Sequence, residues 1–203
     1  MVFKPITDAA CLGDNATRLE NIVRASPILG PILNQWTSIA LPDCWLVAGA
    51  IAQTVWNDAF GLPPGHGLSD VDLVYFDGAD LSEDSETRHA ERIRDRSADL
   101  PVWIDVKNEA RVHLWYARKF GFSIPPYTSA THAITTFPST TTAVGIQPAG
   151  TGMRIAAPFG LSDLFNLTVR PNMALITRPI YETKVTRWRA VWPGLTIVDW
   201  PDA

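Results

Sequence analysis

The chain predicts an α/β fold, α+β in its segregation of elements: a mixed β-sheet carrying an acidic triad, with helices packed around it. Three observations predict it. Short apolar runs at residues 44–48, 70–76 and 102–107 are separated by longer helical stretches, the pattern of strands and helices that share a core. Two of these runs carry aspartates: Asp70 and Asp72 on the second, Asp105 on the third. The first run ends in Gly49-Ala50, a small-residue junction that lets the backbone turn sharply into a helix.

The totals fit this picture. A chain of 203 residues, 46% hydrophobic, is long enough for a sizeable core and reads as one domain over residues 1–203. Within it we distinguish N-terminal helices (1–43), a central core (44–120) and a compact, loop-rich C-terminal part (121–203). The net charge is −4 and no Lys/Arg-rich run is present, which argues against bulk nucleic-acid binding and leaves room for a local basic groove. Cys11 and Cys44 lack metal-ligand spacing. With no signal-peptide pattern and no apolar run of membrane-spanning length, the expectation is a reduced, soluble, cytoplasmic protein without a membrane partner.

In chain order, residues 16–25 predict a helix with Leu19, Ile22 and Val23 on one stripe. Ser26-Pro27 reads as an N-cap and first-turn proline for a second helix that ends near Leu41-Pro42. Residues 44–48 predict a buried strand and 51–58 a helix. A loop rich in glycine and proline returns the chain to the strand at 70–76. Residues 80–98 predict a charged surface helix with a solvated face, 102–107 a third strand, and 108–120 a helix capped by Asn108 and stopped by Gly121. A short helix at 129–136 follows, then strands at 141–146 and 153–156 around a hairpin turn. Helices at 161–167 and 180–192 and a last strand at 195–198 complete the chain. No internal repeat or low-complexity segment interrupts it.

The chemistry centres on Asp70-Val71-Asp72. Side chains alternate along a strand, so both carboxylates share one face while Val71 and Leu73 turn to the core. Two adjacent carboxylates repel unless a positive charge lies between them, and a hard divalent cation such as Mg²⁺ takes oxygen ligands.

These pieces resemble the nucleotidyltransferase superfamily, the fold of DNA polymerase β and of minimal nucleotidyltransferases. Its signature is a small-residue turn opening a helix, an acidic pair separated by one residue, and a third acid on a neighbouring strand. A longer resemblance is to a bacterial nucleotidyltransferase-like family formerly classed as a domain of unknown function. It is carried by Ala48-Gly49-Ala50 with Gln53 to Asn57, by Asp70 to Phe76, by Ile104 to His113, by Ala157 to Leu161, by Arg170-Pro171-Asn172, and by Lys184 with Arg187-Trp188. The resemblance implies Asp70, Asp72 and Asp105 as catalytic and metal-holding residues, with Mg²⁺, or Mn²⁺ in its place, as cofactor. Gly49, Ala50, Ser69 and Lys107 are the implied contacts to the nucleotide. Ala50 stands where related enzymes usually have a serine, so a hydroxyl contact to phosphate is lost; Ser69 is the nearest replacement.

Other residues carry weaker signals. Lys107 lies two residues after Asp105 and serves either a phosphate or the neutralisation of the acids. Lys184 and Arg187 are spaced to share a helix face and either reach a triphosphate or, the reading we favour, face solvent with Trp188 packed beneath; Arg170 is read the same way. The threonines Thr140 to Thr142 are read as strand formers outside the site. His66 either touches substrate or is a solvated loop residue, while His113 is a surface or packed histidine. Trp56, Trp103, Trp115 and Tyr75 are expected in the core, and Cys44 is read as a small buried apolar residue. The resulting expectation is transfer of a nucleoside monophosphate from an NTP donor to a hydroxyl, the acceptor being a small molecule or protein side chain in preference to nucleic acid. The alternatives are a two-metal phosphoesterase using the same acids, and a non-catalytic nucleotide-binding or interaction module of the same fold.

Overall fold

The computed structural model describes residues 9–201, with side chains described from residue 13, so Cys11 lies outside the described side chains. Helix α1 (Ala9–Ala25) contains the predicted stripe, with Leu19 and Val23 fully buried. The Ser26 hydroxyl accepts hydrogen bonds from the N–H groups of Ile28 and Leu29 at 3.3 and 3.2 Å. The single helix expected next is two short ones, α2 (Leu29–Asn34) and α3 (Trp36–Ile39), split at Gln35 and stopped by Ala40 in the left-handed conformation.

Five strands then form one sheet in the order β3-β2-β1-β4-β5: β1 (Trp45–Val47), β2 (Asp70–Tyr75), β3 (Trp103–Asn108), β4 (Gly145–Ala149) and β5 (Gly152–Ala156). Strands β2 and β3 are parallel and the other pairs antiparallel, so the sheet is mixed as predicted. The parallel pair needs a crossover, which α5 (Glu83–Arg96) supplies. Strand β1 leads directly into α4 (Gly49–Phe60). After β3 come a 3-10 turn (Glu109–Arg111), α6 (Val112–Phe120) and α7 (Ala130–Ile134). The chain ends with α8 (Ser162–Phe165), β6 (Thr168–Val169), α9 (Arg178–Val191) and β7 (Thr196–Ile197), β6 and β7 forming a small parallel pair.

The alternation of β2 and β3 divides the sheet into two faces. Val71, Leu73, Ile104 and Val106 join Leu19, Val23 and the α4 residues Ile51, Val55 and Trp56 in the main core. The N-terminal helices therefore pack on the side opposite the acids. On the other face, Trp45, Val47 and Val74 meet Ala130 and Ile134 of α7 and cover one end of the sheet. The acids occupy the remaining end.

Two expectations are corrected. The α5 charges are not simply solvated. Arg92 and Arg96 donate to the Ser38 and Ile39 carbonyls at the end of α3, and Arg94 donates to the Ile104 carbonyl at 2.8 Å. Glu86 is buried, accepting from the Asn108 N–H and from Arg111, both at 2.7 Å. The strand expected at 141–146 begins only at Gly145. Before it, hydroxyl bonds close a turn: Ser139 Oγ with Thr142 Oγ1 at 2.8 Å, Thr140 Oγ1 to Asp163 at 2.6 Å, and Thr141 Oγ1 to the Thr168 carbonyl. Threonine's β-propensity loses here to side chain–backbone competition.

Candidate active site

The site is built at the start of β2. Asp70 and Asp72 project from the face opposite Val71 and Leu73, as strand alternation requires. Parallel pairing sets Asp72 beside Asp105 and Asp70 beside Trp103. On the other side, antiparallel pairing sets Asp72 beside Val47, the last residue of β1. The chain then bends at Ala48, whose φ of 62° is a conformation an L-residue adopts only under strain. We expected the sharp turn at Gly49; the positive φ falls one residue earlier. A Cβ at Gly49 would lie 3.2 Å from Gln53 Nε2, a tight contact with the end of a flexible side chain. No side chain caps α4; of its first three residues Gly49 lines the cleft beside Asp70 and Asp72, while Ala50 and Ile51 are buried.

A cleft of about 100 Å³ brings together Ala48, Gly49, Gln53, Asp70, Asp72, Pro138, Thr142, Lys184, Arg187 and Trp188. Burial first, then the Asp70 and Asp105 carboxylates, push the Asp72 carboxyl up to about 6, against the pull of Lys184 and Lys107. Burial and the neighbouring Arg187 hold the Lys184 ammonium below the usual lysine range, with Asp72 and Asp70 opposing. The cleft therefore holds both signs of charge at close quarters.

The predicted residues fare differently. Asp70, Asp72 and Gly49 meet in the cleft. Ala50 does not: it is 1% exposed and belongs to the main core. Ser69 donates to Asp70 Oδ1 at 2.5 Å and so orients that carboxylate. Asp105 lies beside Asp72, but its carboxylate is engaged by Lys107 Nζ at 3.3 Å and by Arg94 at 3.7 Å. Of the two roles read for Lys107, the structure displays the neutralising one. Among the described residues, no three His, Cys, Asp or Glu side chains converge closely enough to hold a metal ion as they stand. In kind, the donors fit a hard cation: all are carboxylate oxygens, and Asp72 lacks enough positive charge nearby. Both cations lie against the same Asp105 oxygen, Oδ1.

The sequence reading missed or ranked second several members of the cleft. Lys184, half-buried, and Arg187, still exposed to solvent, both line it, while Trp188 is packed beneath them as expected. Thr142 belongs to it, set aside earlier as a strand former. Gln53 is 7% exposed and its Oε1 has no partner. The Arg170-Pro171-Asn172 loop holds the cleft residue Pro138, whose carbonyl accepts from the Asn172 N–H at 3.0 Å. Asn172 Nδ2 donates to the Thr135 and Phe137 carbonyls at 2.7 and 2.8 Å, and Arg170 pairs with Asp163 at 3.1 Å. His66 resolves to structure: its Nε2 lies 3.2 Å from the Val191 carbonyl and its ring meets Trp192 edge-on. Cys44 is buried, and that burial, then Asp43, pushes its thiol up to about 12, so it is inert. Trp56 and Tyr75 are core residues, but Trp103 is 57% exposed, against expectation.

The site thus sets two acids of a mixed sheet beside a helix start that no side chain caps, in a cleft that Lys184 and Arg187 also line. The sequence family described as Nucleotidyltransferase matches residues 34–197, most of the chain, and the protein belongs to that family. No curated protein matches it in sequence. A solved structure described as "The NMR structure of the protein reveals a CCA-adding enzyme head domain" matches with a TM-score of 0.74 and 24% identity, covering 91% of this chain and 96% of that one. At that identity the match shows the shared fold alone, and that fold agrees with the nucleotidyltransferase family to which the chain belongs. Among the described residues, no helix is long and apolar enough to cross a membrane.

Proposed function

We propose that the protein transfers a nucleoside monophosphate from an NTP to a hydroxyl acceptor. The observation that carries this reading is the meeting of Asp70 and Asp72 with Lys184, Arg187 and Gly49, at the uncapped start of α4, in one cleft. Asp70 and Asp72 would hold Mg²⁺ or Mn²⁺, with Asp105 completing the set. Such a cation would neutralise phosphate charge and lower the pKa of the attacking hydroxyl. Lys184, Arg187 and the first N–H groups of α4 bind the outer phosphates. Ser69 holds Asp70 in place. The acceptor oxygen bonds to the α-phosphorus as the bond to the bridging oxygen of the β-phosphate breaks. Pyrophosphate leaves with that electron pair, and the hydroxyl proton passes to the Asp105 carboxylate.

A thermal-shift panel of four NTPs, with and without Mg²⁺, tests this on the wild type and on Asp70→Asn/Asp72→Asn. A ligand at a hundred times its Kd stabilises by about 2.7 kcal/mol. The expected result is a Mg²⁺-dependent shift that the double variant loses. A flat panel at millimolar NTP would sink the proposed donor site. A second reading, a nucleotide-binding module without turnover, is favoured by the ion pairs that already occupy Asp105. It predicts the same shift with no pyrophosphate released across an acceptor panel.

A further inference from the structure

Trp103 is anomalous. It lies on β3, the edge strand, and is 57% exposed, although tryptophan is costly to leave in water. It is also not free to wander. Its backbone N–H donates to the Ser69 carbonyl at 3.0 Å, which fixes the strand position, and its Cα is the register partner of that of Asp70. The Arg94 guanidinium lies 4.0 Å from the ring centroid. Arg94 is itself fixed by the Ile104 carbonyl at 2.8 Å and by Asp105 at 3.7 Å. A ring backed by a pinned guanidinium and still more than half exposed presents its open side to ligand, at little further ordering cost.

Its position selects the ligand. Trp103, Asp105 and Lys107 alternate onto the face that carries Asp70 and Asp72. The outer-phosphate contacts lie on the opposite flank of β2, at Gly49, Lys184 and Arg187. Trp103 is therefore on the acceptor's side. It lies two residues from Asp105 along the strand, a span of about 6.6 Å. That span matches the reach from a nucleobase to the hydroxyls of its own ribose. We propose that Trp103, backed by Arg94, is a stacking platform for the base of a nucleoside acceptor and sets the acceptor hydroxyl at Asp105. This rests on the proposed nucleotidyl transfer.

The eight tryptophans give resolvable indole N–H signals in an ¹H–¹⁵N spectrum, and Trp103→Phe assigns that of Trp103. Adenosine, cytidine, guanosine and uridine are titrated without Mg²⁺. The expected result is a saturable shift of the Trp103 signal with at least one nucleoside, while those of the buried Trp56, Trp188 and Trp192 stay still. Affinity should fall roughly ten- to a hundredfold in Trp103→Leu and much less in Trp103→Phe. A trinucleotide RNA acting at lower concentration would name an RNA end as the source of the base; an equal response would name a free nucleoside. A still Trp103 signal with all these probes would overturn the platform and leave the ring as a shield of the edge strand. The Mg²⁺–NTP thermal shift of Trp103→Leu separates the two readings. If it is intact while nucleoside binding is lost, both stand. If the wild type lacks it but the nucleosides still move Trp103, only the donor reading fails.

Discussion

The two flanks of β2 are built differently. On the β1 side everything is packed: the Ala48 bend, α4 and α9 lean on a cluster in which the Trp56 ring meets Trp188 and Trp192 edge-on at 5.7 and 5.2 Å. Asn57 ties that cluster to the loop before β2. It accepts from Trp192 Nε1 at 2.8 Å and donates to the Pro64 and His66 carbonyls at 3.2 and 2.9 Å. On the β3 side the strand is an edge, with Trp103, Asp105 and Lys107 partly open and linked by ion pairs. A fixed pocket suits a constant phosphate chain, whereas an open edge suits a variable second substrate. The harshest way to break this comparison is Trp192→Ala, which should cost about 3–5 kcal/mol in urea unfolding and abolish the NTP shift. Trp103→Ala should cost less than about 1 kcal/mol. Equal losses would mean that the flanks are equally structural.

The openness of the β3 side ends at Asn108. The next residue, Glu109, is buried; that burial, then Glu86 and Asp72, pushes its carboxyl up to about 8 from an ordinary 4.5. A carboxyl whose pKa is raised by folding stabilises the fold while protonated. Its contribution is complete below about 4.5 and is lost as pH rises towards 8. Glu109→Gln should therefore raise stability at pH 8.5 by a few kcal/mol relative to the wild type and change little at pH 4.5. Thermal melts across that range check it. A gain that does not grow with pH would show the charge to be already satisfied.

This contrast also explains what the sequence disclosed. The β1–α4 junction, the Asp70-Val71-Asp72 face and the β3 strand were legible because they follow local alternation and short-range turn chemistry. Lys184 and Arg187 stay between a triphosphate contact and solvent on the sequence alone, because which face of α9 meets the cleft depends on where Trp188 packs, some 130 residues after Trp56. The Thr140 to Thr142 turn was hidden for a similar reason: its partners, Asp163 and Thr168, come more than twenty residues later. Trp103 was misread because an edge strand and a central one look alike in sequence, and only strand order separates them. The reading of Asp105 as an acid in line with Asp72 anticipated its register but not Arg94, which arrives from α5.

A finer probe of the packed flank is Lys184→Met, with Arg187→Met beside it. A charge-assisted hydrogen bond to phosphate contributes about 1.5–3 kcal/mol. Each change should therefore weaken NTP binding by roughly ten- to a hundredfold, seen as a raised KM with kcat less affected. If kcat falls instead with KM unchanged, these cations act on the leaving group and not on the ground state.

The smallest expected effect is the most discriminating on the open side. Lys107 is half exposed and its pair with Asp105 is a surface one, so Lys107→Met should change stability by less than about 1 kcal/mol. Lys107 competes for the carboxylate that the acidic set needs. Removing it should therefore lower the Mg²⁺ concentration required for half of the NTP shift, by roughly two- to fivefold at low salt, and the difference should shrink as salt screens the pair. Weaker NTP binding at saturating Mg²⁺ would give the opposite answer: Lys107 would be a phosphate ligand, and the donor would extend onto the flank assigned here to the acceptor.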